Sequence, residues 1–284
     1  MALAEEQYWP RDRVDADYTA RNCVTGAEFA RIIAAYRSLS APARDLSGTR
    51  PGLAYDSESA ETLDLYGTAG DGALRPCFMF IHGGYWRALS KADSAFMAPM
   101  LAARGIVTAV PDYTLAPAAS LTEIVRQMRA ALAFLWRNAP DLGIDRGRIV
   151  VGGSSAGGHL TGTLMSPGWQ AAAGIAPAPL AGALPVSGLF DLGAIAASHV
   201  QDWMALTEAE IEELSPLRRL PAHPVPGPVA VAEIETPGFH RQSAAFGAAV
   251  GAPVLTIAGR NHFDVILDLT DPQSVLARAL LDLF

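Results

Sequence analysis

The stretch Val150–His159, VVGGSSAGGH, passes from apolar β-branched residues through Gly-x-Ser-x-Gly into a pattern of helical spacing. A sharp turn from a strand into a helix holds its serine in a strained backbone conformation, and small residues at 153 and 157 let the neighbouring chain pass. The pattern therefore predicts a nucleophile elbow with Ser155 as the nucleophile. A glycine-rich turn without a chemical role is the alternative, because so short a pattern also arises by chance.

Short apolar segments alternate with amphipathic segments on both sides of this turn. The predicted strands are Thr62–Tyr66, Cys77–Ile81, Ile106–Val110, Ile149–Val151, Leu184–Val186, Val229–Ala232 and Val254–Ala258. The predicted helices are Lys91–Arg104, Leu121–Asn138, Ala156–Met165, Phe239–Val250 and Pro272–Leu281, the last with Asp271 as its N-cap. Such alternation is typical of the α/β class, in which helices cover both faces of a mostly parallel sheet.

We expect one domain over residues 1–284, with two additions to the alternating pattern. Residues 1–50, the N-terminal arm, contain an amphipathic helix at Thr25–Leu39 and are expected to pack on the main body. Residues 191–228, the insertion, contain an acidic helix at Thr207–Leu214 and a proline-rich linker. The insertion is either a lid over a site or a surface excursion without a role.

Composition and charge exclude several classes of protein. Of 284 residues, 50% are apolar and 18% are charged, as in compact globular chains. The net charge of −8 gives no general attraction to nucleic acid or to an anionic membrane. Prolines interrupt the longest nearly uncharged stretch, Ala171–Phe190, and the N-terminus is acidic, so we expect neither a membrane span nor a signal peptide. Cys23 and Cys77 lack metal-ligand spacing and are expected to be free thiols of a cytoplasmic protein.

A second glycine-rich turn follows another apolar strand, at Phe78–Trp86, FMFIHGGYW. It resembles the His-Gly-Gly oxyanion loop of esterases. The glycines let the backbone turn, so that the amides of Gly84 and Tyr85 face the same point as the amide of Ala156. We therefore expect an oxyanion hole with three donors, each worth about 3 kcal/mol of transition-state stabilisation.

Other residues near the two turns have different predicted roles. Gly83, Trp86 and His159 are expected to line the substrate pocket, with packing as the alternative for Trp86 and His159. His82 is interpreted as structural, because a ring at a strand end can hold the loop by hydrogen bonds.

A serine hydroxyl is a weak nucleophile near neutral pH and needs a general base. His262 directly follows the predicted strand Val254–Ala258, so it is expected at the carboxyl edge of the sheet, where Ser155 also lies. We therefore select His262 as the base. Three other downstream histidines are interpreted as surface or loop residues: His199, His223 and His240.

The acid that orients this histidine is expected after the preceding strand, where two carboxylates occur. Glu233 continues that strand, whereas Glu235 stands in the following turn, from which a loop can carry its carboxylate to the imidazole. We choose Glu235 and keep Glu233 and Asp191 as alternatives. The resulting chain order of serine, acid and histidine is that of α/β-hydrolases, unlike the chymotrypsin and subtilisin orders.

The loop sequence His82-Gly83-Gly84-Tyr85-Trp86 is similar to that of kynurenine formamidases (arylformamidases) and related small esterases. Lipases of the hormone-sensitive type have a further glycine there. Three other segments also resemble that family, and the resemblance spans about residues 55–284: Glu61–Tyr66, Ser187–Leu192 and Glu235–Ser243. It implies an α/β-hydrolase fold and places the acid at Glu235, where some relatives have aspartate.

The resemblance also implies two-step acyl transfer through Ser155 without a metal or an organic cofactor. We expect a small-molecule acyl amide or ester as the substrate, most specifically an aryl formamide of the N-formylkynurenine type. The alternatives are a carboxylesterase for small aryl or alkyl esters and, more remotely, a non-catalytic binding protein of this fold. Arg87 and Arg241 are either ligands of a substrate carboxylate or solvated surface residues. A homodimer is compatible with the pattern, with the N-terminal arm as one candidate contact, but the pattern fixes neither its symmetry nor its interface.

Overall fold

The computed structural model describes residues 3–70 and 72–284. Eight strands form one sheet with the order β1-β2-β4-β3-β5-β6-β7-β8. Their bounds are β1 Arg50–Ala54, β2 Thr62–Tyr66, β3 Arg75–Ile81, β4 Val107–Pro111, β5 Ile144–Ser154, β6 Gly182–Val186, β7 Val229–Ile234 and β8 Val254–Asn261. The pairs β1–β2 and β2–β4 are antiparallel, and every other neighbouring pair is parallel. The predicted α/β class with a mostly parallel sheet is confirmed.

Helices cover both faces of this sheet. The α-helices are α1 Arg11–Tyr18, α2 Gly26–Ser40, α3 Ala98–Ala102, α4 Leu121–Arg137, α5 Ala156–Met165, α6 Gly193–Ala196, α7 Gln201–Met204, α8 Glu208–Leu214, α9 Pro237–Val250 and α10 Val275–Leu281. The described residues also form five 3₁₀ turns, at Leu3–Tyr8, Ala20–Cys23, Ala41–Asp45, Lys91–Asp93 and Val265–Thr270. Within the described ranges, no helix combines the length and the apolar character that crossing a bilayer requires.

Strand β3 shows how the core divides between the two faces. Met79 and Ile81 are buried in the cluster that includes α4, α5 and α9, whereas Phe78 and Phe80 are buried in the cluster that includes α2, α3 and α10. Successive side chains of a strand point to opposite faces, so a continuous apolar run is needed where both faces are covered. This double cover fixes the central strands, and with them the loops at their carboxyl ends.

Three sequence expectations about elements differ from the structure. An antiparallel edge strand, β1, precedes the first predicted strand; it is mostly exposed and contains Pro51 and Gly52, which weaken any strand pattern. The predicted helix Lys91–Arg104 is only a 3₁₀ turn and the short α3, because Pro99 begins a new helix. Asp271 is not the N-cap of α10: the hydroxyl of Ser274 accepts from the Ala277 amide at 3.0 Å instead.

The N-terminal arm packs against the main body through buried polar contacts. The guanidinium of Arg241 on α9 binds the carboxylates of Glu6 and Asp17, each at 2.5 Å. Tyr18 is fully buried and its hydroxyl donates to Glu6 at 2.6 Å. The hydroxyl of Tyr85 donates to the carbonyl of Tyr18, which ties the arm to the loop after β3. The arm is therefore held next to the carboxyl edge of the sheet.

Candidate active site

Ser155 lies between β5 and α5 with φ 58° and ψ −117°. This left-handed conformation is costly for a non-glycine residue and is held only by tight surroundings. A Cβ on Gly157 would lie 2.0 Å from the carbonyl oxygen of Ile81, and one on Gly153 would lie 2.5 Å from the same oxygen. Positions 153 and 157 therefore have room only for the hydrogen of a glycine, as the sequence pattern predicts.

His262 directly follows β8, and its Nδ1 lies 3.0 Å from Oε2 of Glu235. The Glu235 carboxylate is completely buried and also accepts hydrogen bonds from the Ala232 amide at 3.0 Å and from the Ser187 hydroxyl. A carboxylate held by three donors has a fixed position, so it fixes the orientation and tautomer of the imidazole. The other ring nitrogen of His262 is left to act as a base.

The two alternative acids lie elsewhere. The Glu233 side chain is exposed and accepts from the amide of Gly259 at 2.7 Å. Asp191 accepts from the Gly193 amide at 2.8 Å and pairs with Arg218 at 3.2 Å. Among the described residues, the carboxylate that contacts His262 is therefore that of Glu235.

The loop after β3 turns at Gly84 and Tyr85, which have φ values of 93° and 50°. No acceptor in the described part of the chain takes either amide. Ala156 is the first residue of α5, so its amide has no intrahelical acceptor. A Cβ on Gly83 would lie 3.4 Å from Cβ of Ser155, which shows how closely the loop approaches the serine. The three amides are thus free to donate near Ser155.

His82 is buried beneath this loop. Its ring stacks on Tyr113 with centroids 4.2 Å apart, and Nδ1 donates to the carbonyl of Gly83 at 3.0 Å. Burial lowers the pKa of His82 to about 4, so the ring is neutral near pH 7. The contacts agree with its interpretation as a residue that holds the loop.

Trp86 and His159 take the packing role, which was the alternative to pocket lining for both residues. Trp86 is fully buried, with its ring edge-to-face against His159 at 5.1 Å. His159 is also fully buried, and its Nε2 donates to the carbonyl of Leu214 at 2.8 Å. Neither side chain lines the cavity at Ser155. Trp86 packs beneath the loop after β3, and His159 contacts the insertion at Leu214. Gly83 does line the cavity.

A cavity of about 550 Å³ opens at Ser155 and His262. One part of its wall is the loop after β3, and a second is the segment that follows His262, including Phe263 and Ile266. The N-terminal arm contributes Thr19, Ala20, Arg21, Phe29, Ile33 and Tyr36, and the insertion contributes His199 and Trp203. Most of this surface is apolar, which favours an aromatic or aliphatic ligand body.

The arm and His199 are the functional-site residues that sequence reasoning missed. Phe29 of the arm packs edge-to-face on Phe263 at 4.9 Å, and the hydroxyl of Tyr36 donates to the carbonyl of Phe263. The helical spacing of the apolar residues in α2 indicated a buried face, but no local pattern says which surface that face covers. His199, which the sequence analysis interpreted as a surface or loop residue, lines the cavity next to Trp203.

Metal-binding geometry is not found in residues 3–70 and 72–284, since no group of three or more His, Cys, Asp or Glu side chains is placed to hold an ion. Cys23 and Cys77 are free thiols.

Comparison with known proteins finds a matching family profile and similar kynurenine formamidases. The BD-FAE family profile matches residues 63–167. The kynurenine formamidase of Danio rerio is 29% identical over 259 residues, covering 88% of this chain and 86% of the relative. The kynurenine formamidase of Salmo salar is 29% identical, covering 84% and 83%.

Solved structures with the same fold are also found. A protein from Silicibacter sp. TM1040, provisionally assigned as a thioesterase, superposes with a TM-score of 0.80 at 26% identity and covers 94% of this chain and 98% of that chain. An esterase from Pyrobaculum calidifontis superposes with a TM-score of 0.71 at 16% identity, covering 92% and 93%. The second likeness is one of fold alone.

Proposed function

We propose a specific reaction for this chain from the premise that it is a hydrolase of the α/β-hydrolase fold, similar to kynurenine formamidases. The chain is a serine hydrolase that cleaves a small acyl amide or ester through an acyl-enzyme. Its leading substrate class is the aryl formamides of the N-formylkynurenine type. It works as one domain over residues 1–284 in which the N-terminal arm completes the pocket.

One observation carries this proposal. Ser155 and His262 line the same cavity, and Glu235 is bound to the far side of the imidazole at 3.0 Å. A nucleophile, a base and a buried acid that orients the base are the parts that activate a serine hydroxyl.

The reaction begins when Oγ of Ser155 attacks the carbonyl carbon and His262 takes the hydroxyl proton. The electron pair of the carbonyl moves to its oxygen, which accepts hydrogen bonds from the amides of Gly84, Tyr85 and Ala156. The Glu235 carboxylate stabilises the imidazolium that has formed. When the tetrahedral intermediate collapses, the bond to the leaving nitrogen or oxygen breaks and His262 gives it the proton.

Water then repeats the sequence against the acyl-enzyme. His262 takes a proton from the water, the hydroxide attacks the acyl carbon, and the proton returns to Oγ of Ser155 as the acid leaves. An aniline is a poor leaving group as an anion, so its protonation by His262 matters more for an aryl formamide than for an activated ester.

The cavity supports an aryl substrate, because Phe29 and Trp203 both belong to its wall. Aromatic walls favour a flat apolar ring. The alternative is a carboxylesterase for small aryl or alkyl esters, which the aliphatic side chains of Leu89 and Ile266 in the same wall favour. Both reactions use the same atoms.

The test is kcat/KM of the purified protein on N-formylkynurenine, p-nitrophenyl acetate and p-nitrophenyl butyrate. We expect the formamide to be preferred, and Ser155→Ala to lower kcat/KM on every substrate by about 10³-fold or more. Turnover of the esters alone would replace the formamidase assignment with the carboxylesterase. Turnover that persists in Ser155→Ala would refute the serine mechanism.

A further inference from the structure

A second imidazole, that of His199, lies in the wall of the cavity that Ser155 and His262 share. Its ring packs against the ring of Tyr85, with centroids 6.3 Å apart, and against the ring of Trp203 at 5.6 Å. The His199 side chain is 29% exposed. The ring is thus held by aromatic neighbours but open to a ligand, and the reaction proposed above does not use it.

The N-terminal arm supplies a carboxylate partner for this ring. Oδ1 of Asp15 accepts a hydrogen bond from the backbone amide of His199 at 2.5 Å and lies 3.3 Å from Nδ1 of the ring. An ionised carboxylate can only accept, so Nδ1 carries the proton in this contact. Glu235 holds His262 in the same way, through Nδ1.

The other ring nitrogen of His199, Nε2, has a free lone pair when the ring is neutral and Nδ1 carries the proton. Within the described ranges, Nε2 has no hydrogen-bond partner. The described residues of the cavity wall include no aspartate, glutamate, asparagine or glutamine. Beside the imidazole of His262, that of His199 is therefore the strongest side-chain acceptor in this part of the wall.

We propose that His199 selects substrates that carry an N–H or O–H donor on their apolar body, because Nε2 accepts a hydrogen bond from that donor. This inference rests on the proposed function and narrows its substrate class. N-formylkynurenine belongs to the narrower class, since its amino group and its formamide both have N–H bonds. Asp15 is a positioning residue, because it fixes the proton at Nδ1 and so makes Nε2 an acceptor. A ligand with a methyl group in place of the donor leaves Nε2 unsatisfied and binds less well.

Pairs of aminoacetophenones and methylacetophenones test this contact, with the amino or methyl group at the ortho, meta or para position. The two groups have similar sizes, but only the amino group donates. These ketones contain neither an ester nor an amide, so they are not substrates of the proposed reaction. Titration calorimetry at about pH 8, where histidine side chains are in general neutral, gives Kd. We expect the amino compound of at least one pair to bind about fivefold more tightly than its methyl counterpart.

The variant His199→Asn separates the contact with a ligand from the contact with Asp15. The asparagine amide can still donate to Asp15 from the place of Nδ1, but no atom occupies the place of Nε2. We expect the preference for the amino compound to fall to about twofold or less. His223→Asn is the matched control, because His223 is exposed and does not line the cavity. It is expected to keep the full preference.

The variant Asp15→Asn tests the positioning role. An amide can donate as well as accept, so it no longer fixes the proton of His199 at Nδ1. The preference for the amino compound should fall while the Kd of the methyl compound stays the same. A weaker binding of both compounds with an unchanged ratio would contradict the positioning role of Asp15.

Turnover gives a second measurement on the same variant. N-formylkynurenine has N–H donors, whereas p-nitrophenyl acetate has neither N–H nor O–H. In His199→Asn we expect KM for the formamide to rise several-fold, and kcat on both substrates and KM for the ester to change little.

Equal Kd values in all three pairs with the wild-type protein, or an unchanged preference in His199→Asn, would overturn the proposal. An equal loss of affinity for both members of a pair in His199→Asn would also overturn it, because His199 would then only hold the arm. A protein that shows the donor preference but keeps its turnover in Ser155→Ala would refute the proposed function and leave the role of His199 standing.

Discussion

The carboxyl edge of the sheet and the N-terminal arm supply different parts of the site in different ways. Three residues each come directly after a strand: Ser155 after β5, Glu235 after β7 and His262 after β8. The arm reaches the same cavity from a distant part of the chain, held by Arg241 and by the hydroxyls of Tyr36 and Tyr85. The groups that we propose to react thus depend on local turns, whereas the shape of the pocket depends on long-range packing.

The largest expected effect concerns the residues at the carboxyl edge of the sheet, and the variant Glu235→Gln tests it. An amide has nearly the same shape, but it cannot stabilise an imidazolium, and it can hold the ring in the wrong tautomer. We expect kcat to fall by about 10³- to 10⁴-fold with little change in KM. Steady-state kinetics on the preferred substrate measures this. The matched control is Glu233→Gln, an exposed carboxylate two residues away, and an equal loss there would contradict the assignment of the acid.

A second test concerns the loop after β3. A Cβ on Gly84, which has φ 93°, would lie 2.3 Å from the carbonyl oxygen of Ala88, so Gly84→Ala must move the loop and its amide. We expect kcat/KM to fall by about 10²-fold, as when one oxyanion donor is lost. Gly105→Ala is the control: its φ is 70° but nothing lies within 4 Å of the new Cβ. Equal activity losses in the two variants would mean that backbone strain, not the donor, causes the effect.

The arm is tested by Arg241→Gln, which leaves the buried carboxylate of Glu6 without its cation. Removing one partner of a buried ion pair costs 3–5 kcal/mol, and the partial exposure of Arg241 reduces this to about 2 kcal/mol. We expect KM to rise several-fold while kcat changes less, and the arm to become sensitive to protease. Denaturant unfolding, kinetics and limited proteolysis measure these effects.

The control for the arm is Arg11→Gln, whose side chain is 54% exposed in its pair with Asp202. An exposed ion pair contributes little to stability, so the free energy of unfolding should not change measurably. A normal KM in Arg241→Gln would show that the arm is not needed to shape the pocket.

The test with the smallest expected effect on turnover concerns the acid sensitivity of the core beneath the carboxyl edge of the sheet. Burial lowers the pKa of His82 and of His159 to about 4, below the usual 6.5. Between about pH 6.5 and pH 4 the unfolded chain binds more protons than the folded one, so the free energy of unfolding falls as the pH falls. Each histidine contributes a slope of up to about 1.4 kcal/mol per pH unit.

Urea unfolding between pH 7 and pH 4.5 measures this slope. The slope should be smaller in His159→Gln than in the wild type, and unchanged in His223→Gln, which replaces an exposed histidine. Identical slopes in all three proteins would show that His159 is not held neutral by the fold.

The central strands and the three strand-edge residues could be predicted because each depends on a short pattern. The apolar runs of β3 and β5 and the glycines around Ser155 are local consequences of double burial and of a tight turn. The cavity wall could not be predicted, because α2 shows only that one face is buried. Pocket lining and packing stayed as alternatives for Trp86 for a related reason: the direction of a side chain at a turn depends on a backbone angle that residue type does not reveal.

The assembly of the pocket from two separate stretches has a practical consequence for exchanging parts between relatives. Residues 3–40 contribute Arg21 and Phe29 to the cavity but none of the reacting groups. That stretch could be replaced by the corresponding stretch of a homologue, together with a matching residue at position 241. The chimaera would have a different cavity wall next to unchanged residues at the carboxyl edge of the sheet. The homologue would then determine the ligand preference of the chimaera, and this chain would supply the groups that we propose to react.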